Sequence, residues 1–207
     1  MLVGSAILAV IAVVAPAFAK IPVTLKSAPV DTTEQNAPTS FRIVTTLGGS
    51  EHIKDLVQRL PAGLGLNTLN PTCPVPVWQM DKCAANTQVG TTTASLTAGP
   101  PPGEKQMVSG RIFFLDSDGP GVLPGLGIIL DAPSPFKKAF QRGTVKLNTQ
   151  LGVLETTIRD FPRTAETQVG VGVPIRIDAL DVLLNKNFVT NPPTCEPATT
   201  ELSLIHI

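Results

Sequence analysis

The chain has 207 residues, and its 16 basic and 16 acidic side chains balance, which leaves no electrostatic footprint for nucleic acid or an anionic membrane. Its 20 prolines, about twice the usual share, work against long helices, since a proline inside a helix costs ~3 kcal/mol. With no Tyr and one Trp, a core must be assembled mainly from Val, Ile and Leu.

Met1–Ala19 reads as an export signal: Ala6–Ala15 is continuously apolar, and Ala17-Phe18-Ala19 before Lys20 is a small-residue cleavage pattern. The competing membrane-anchor reading needs about 20 apolar residues, and no other apolar run approaches that length. Residues 20–40 are polar and punctuated by proline, an extended entry with a short edge strand expected at Val23–Leu25.

Phe41–Leu47 alternates like a strand, and Gly48-Gly49-Ser50 is a turn. His52–Leu60 is two-sided. Ile53, Leu56, Val57 and Leu60 make a helical stripe, while the short length, Pro61 and the β-dense surroundings favour a strand. Gln88–Thr97 is Thr-rich and β-branched, Ala98–Lys105 is a proline-dense loop, and Val108–Leu115 with Leu126–Leu130 predicts a hairpin. Thr144–Asn148 and Val153–Arg159 form a second pair. Ile175–Leu184 alternates apolar and polar before becoming apolar on both faces.

Strand-like runs at roughly ten-residue spacing with Gly/Pro turns predict an all-β, antiparallel sandwich or barrel over residues 41–195, a β-sandwich in one piece or two small β units. Nothing is long and periodic enough for βαβ units.

Cys73 and Cys83 are near in sequence and separated by turn-forming residues, which predicts a disulfide-closed surface loop feeding the following strand. Cys195 is left without a partner, and an unpaired cysteine in an exported chain wants explaining. In residues 196–207, the end of the chain, Leu202–Ile207 reads as translated sequencing adapter or as a short apolar terminal strand. The first reading lets the native chain continue to a partner for Cys195.

The order of Leu60–Leu64, Cys73, Cys83, Thr87–Gly90, Gly110–Leu115, Leu123–Leu130, Val145–Pro162 and Phe188–Cys195 resembles a secreted, β-rich repeat module of actinobacterial envelope proteins. Thr87 departs from a Ser in that pattern. The resemblance implies a secreted or envelope-associated β protein of undefined activity, in which the closing cysteine pairs with a further one downstream. It implies no catalytic residue.

Chemistry is sparse. His52 is the one imidazole before the final two residues, so a secreted hydrolase would have to use it, and no Gly-x-Ser-x-Gly elbow accompanies it. Asp178 and Asp181, three apart on a strand, should point to opposite faces. Asp116-Ser117-Asp118-Gly119 begins like a calcium loop but lacks the later ligands, and suits a turn as well. The cysteine and histidine spacing suits no metal site, and no cofactor is expected. Gly63, Gly65 and Gly90 are expected to supply unusual backbone angles. Trp78 and Met80, between the cysteines, are the candidate binding residues; Trp78 either contacts a partner or glycan, or folds back as a plug. The expectation is a non-enzymatic module, secreted or at the cell surface. Its role is structural or adhesive, toward envelope polymers or other copies, or else it binds glycan or lipid through the Trp78 loop.

Overall fold

β-branched and apolar runs ending at Gly/Pro turns determine the order of elements in the computed structural model, which describes residues 22–49, 52–100, 102–194 and 200–206. The expected export signal, Cys195 and residues 196–199 and 207 lie outside the described residues. The strands are β1 (Val23–Pro29), β2 (Pro38–Leu47), β3 (Ile53–Arg59), β4 (Gly65–Leu66), β5 (Gln88–Ala98), β6 (Glu104–Phe114), β7 (Leu126–Leu130) and β8 (Ala139–Asn148). They continue with β9 (Val153–Ile158), β10 (Thr164–Glu166), β11 (Gly172–Thr190) and β12 (Glu201–His206). One short helix, α1 (Val75–Gln79), lies inside the cysteine loop.

The strands pair antiparallel in the order β1-β2-β11-β5-β6-β7-β8-β9-β3-β12, with β4 and β10 both added to β11. The hydroxyls of Ser27 in β1 and Thr200, just before β12, lie 2.5 Å apart and join the two ends of that order. The all-β, antiparallel architecture is therefore one sheet curled into a nearly closed barrel, and the facing layers of the expected sandwich are its opposed walls.

Several sequence expectations change in detail. The ambiguous segment is the strand β3; the Ala98–Lys105 loop is shorter, because Glu104 and Lys105 already belong to β6; and β8 starts at Ala139, early enough to pair with β7. Residues 201–206 pair along β3. Among Gly63, Gly65 and Gly90, only Gly63 has a positive φ, +77°. Gly90 is required for a different reason: a Cβ there would sit 2.5 Å from the Leu183 carbonyl oxygen.

Inward-facing side chains are unevenly distributed along the barrel. Phe41, Leu60, Val89, Phe114, Val145, Leu154, Leu184 and Phe188 fill one end, where the Phe114 and Phe188 rings meet edge to face at 5.1 Å. A second cluster lies on the outer face, where Cys73 and Trp78 cover Phe113, Leu115 and Ile129. It is held by the Cys73–Cys83 disulfide, whose Cα atoms are 5.6 Å apart, and by the Cys73 N–H donating to the Phe114 carbonyl at 2.7 Å.

Disulfides form and persist in oxidising compartments, which is the setting this bond fits. No helix among the described residues is long and apolar enough to cross a membrane. Reducing the bond frees a short loop, so Cys73→Ser with Cys83→Ser should cost about 2–3 kcal/mol in urea unfolding. The loss should match that of the wild type measured in dithiothreitol.

Candidate interior site and its rim

The end of the barrel opposite the phenylalanine cluster is hollow. Its cavity of about 400 Å³ is walled by inward residues of β2, β3, β5, β6, β7, β9 and β11. The walls are mainly aliphatic, with Ile43, Leu56, Leu96, Val108, Ile158 and Leu180 representative. This volume falls in the range of small-molecule sites, roughly 300–1,000 Å³, which are mostly apolar with a few placed polar groups.

A bulge on β11 shapes one wall. Ile177 pairs with Leu96 and Ala179 with Ser95, so Asp178 is the extra residue. The extra residue shifts the alternation, and Ile175, Ile177, Leu180 and Val182 all line the cavity. The expectation that Asp178 and Asp181 occupy opposite faces rests on unbroken alternation and is corrected by this bulge. Asp178 accepts from Arg176 Nε at 2.9 Å and from the Thr97 hydroxyl at 2.5 Å, while Asp181 accepts from Arg42 at 2.5 Å. Each acid has its own arginine partner, and the Arg42 hydrogen bond holds the Asp181 carboxyl below the usual range.

Three segments meet at the rim. The connection between β7 and β8 faces the one carrying β10: the Lys137 N–H donates to Glu166 O at 2.8 Å, Lys137 Nζ reaches Glu166 Oε1 at 2.7 Å, and the Gln168 N–H donates to Pro135 O. Phe136 and Thr167 form a β-bridge between the same two connections. The Phe161 N–H donates to Lys54 O, tying the third side to β3. Outside the rim, Lys138 bonds Asp81 at 2.6 Å and Asp131 at 3.0 Å, and Arg111 contacts both acids. The Lys138 hydrogen bond leads in holding the Asp81 carboxyl low. For Asp131, burial pushes upward but is outweighed by its bonds to Arg111 and Lys138.

The structure places the sequence-derived candidates elsewhere. Trp78 is 4% exposed and lies on the outer face, edge to face with Phe140 at 5.6 Å, so its ring is not offered to solvent; the plug reading matches this placement. Met80 is exposed. His52 makes no hydrogen bond or ion pair with the described residues. Asp118 pairs with Arg142 at 2.6 Å, and no group of three or more His, Cys, Asp or Glu among the described residues could hold a metal. The cavity itself was missed by sequence reasoning; its one local signal is the small or polar inward residue, Thr45, Thr92 or Ala94, where a packed barrel would carry a large aliphatic one.

No protein-family model matches the chain, and searches of curated proteins and of solved structures find no match.

Two predictions follow from the outer cluster. A Cβ at Gly127 would meet Trp78 Nε1 at 2.6 Å and Leu115 Cδ2 at 2.9 Å, so Gly127→Ala should cost about 1–3 kcal/mol and red-shift the emission of the chain's single tryptophan. The depressed carboxyls of Asp81 and Asp131 contribute stability that is present above their unfolded value of ~3.9 and is lost as pH falls through the folded value. Asp81→Asn, which also accommodates the positive φ of 55° at that position, should lower the melting temperature at pH 7 and shrink the difference between pH 7 and pH 3.

Proposed function

We propose that this chain is an exported, non-enzymatic β-barrel module whose work is to bind an apolar small molecule inside the hollow end of the barrel. The observation that carries the reading is the cavity of about 400 Å³ at one end of the barrel, opposite the end filled by the phenylalanine cluster. Protein interiors are close-packed, and an unfilled apolar space forfeits dispersion contacts on every wall. A module serving only as a spacer gains nothing from such a space.

The binding surface in this reading is the inner wall, with the Trp78 loop acting as a brace on the outside. The disulfide and the resemblance to envelope modules support placement outside the cytoplasm. The non-enzymatic reading is supported by the pairing of Asp178 and Asp181 each with an arginine. A structural or adhesive role at the envelope is the second reading. It is favoured by β1, which among the described strands pairs with β2 alone and offers a backbone edge for strand addition.

Ala94 is fully buried and lines the cavity beside Val108 and Leu180, its antiparallel neighbours. The neutral dye N-phenyl-1-naphthylamine should brighten with the wild type and saturate at one site per chain. Ala94→Phe should abolish this while keeping a cooperative melt. Equal brightening in the two proteins would place the dye elsewhere and defeat the reading.

A further inference from the structure

The chemistry of the cavity wall narrows the ligand beyond its being apolar. Four charged residues line the cavity: Lys137, Lys138, Asp160 and Glu166. Lys137 is paired with Glu166, and Lys138 is shared between Asp81 and Asp131. Asp160 alone has no ion-pair partner among the described residues, and it is an acid. A carboxylate or phosphate arriving at this rim meets two cations already neutralised and one free negative charge. Releasing either lysine would break its bonds to acids that remain in place.

Deeper in, Thr45, Thr92 and Gln58 line the same cavity, and none makes a side-chain hydrogen bond. Thr45 and Thr92 are 3% and 4% exposed. They flank β11 from either side, Thr45 opposite Leu180 and Thr92 opposite Val182, at successive inward positions of that strand. Both hydroxyls are therefore open to a polar group placed in the cavity, where polar groups are nearly always hydrogen-bonded. Gln141, also on the wall, spends one amide N–H on the Arg159 carbonyl at 2.6 Å.

Resting on the apolar-ligand reading, we infer that the cavity takes an uncharged lipid-like molecule, a chain with a single hydroxyl, ester or amide group, whose polar group is met by Thr45 or by Thr92. The hydrocarbon part lies along the aliphatic walls. The rim selects against anions through pairing of its cations, not through size.

The test is competition against N-phenyl-1-naphthylamine at pH 8 with dodecanol and dodecanoate, on the wild type and on a Thr45→Val, Thr92→Val double variant. Dodecanol should displace the dye at roughly a tenth of the dodecanoate concentration, a difference of about one bidentate-quality polar contact or unpaired charge. The double variant should bind dodecanol roughly three- to tenfold more weakly, hold the dye as before and keep a cooperative melt. Dodecanoate displacing as well as dodecanol, or a double variant with undiminished dodecanol affinity, overturns the inference while leaving the apolar site intact. A wild type that takes up neither the dye nor either chain overturns the apolar-ligand reading, and this inference with it.

Discussion

The architecture depends on the hydrogen-bond pairing of β11. This strand spans Gly172–Thr190 and pairs with β2 and β5 along its middle, with β10 at its start and with β4 at its end. Strands far apart in sequence are thereby brought side by side, and the sheet acquires the order that lets it curl. Among the described residues, β1 and β12 end that order without a strand pairing between them, and the Ser27–Thr200 hydroxyl contact is what joins them. Because β11 is long, it runs from the packed end of the barrel to the rim of the hollow end. Leu184 and Phe188 belong to the first and Ile175 and Ile177 to the second. One strand therefore anchors both the stability and the candidate site.

Irregularities in pairing decide how side chains are dealt between the two faces. At Asp178 the extra residue returns Leu180 and Val182 to the interior. On β3, Asp55 pairs with Ile205 and Ile53 with His206, which leaves Lys54 as the extra residue. Ile53 and Leu56 are thus both buried although three residues apart. That spacing is the helical stripe that made this segment ambiguous in the sequence. A bulge in a strand imitates the period of a helix because it adds one residue to a period of two.

What was readable in the sequence was local. Phe41–Leu47, Leu126–Leu130 and Val153–Ile158 declare themselves through β-branched content and flanking turns, and the two near cysteines declare their loop. The helix at Val75–Gln79 was not visible, since it is five residues long with proline in its first turn and has no periodicity to detect. The first half of β8, Ala139–Gly143, takes its conformation from pairing with β7 more than from its own residues. The cavity was beyond reach for the same reason. Thr45, Thr92 and Ala94 look like ordinary strand residues until closure across non-adjacent strands gathers them around one space. Trp78 was visible as a singular residue, but which side of the sheet it would cover depended on that same long-range closure.

The uneven filling of the barrel has a mechanical consequence. Backbone amides near Phe114 and Phe188 lie beneath aromatic packing, the kind of region that is last to open in a folded domain. Those near Leu96 and Ile177 are paired within β5, β6 and β11 but have the cavity, not packed side chains, behind them. The barrel thus behaves as a stiff base carrying a compliant cup. A molecule bound there would add contacts to the walls of the cup, and its binding would be read out on the outer surface as a change in their motion.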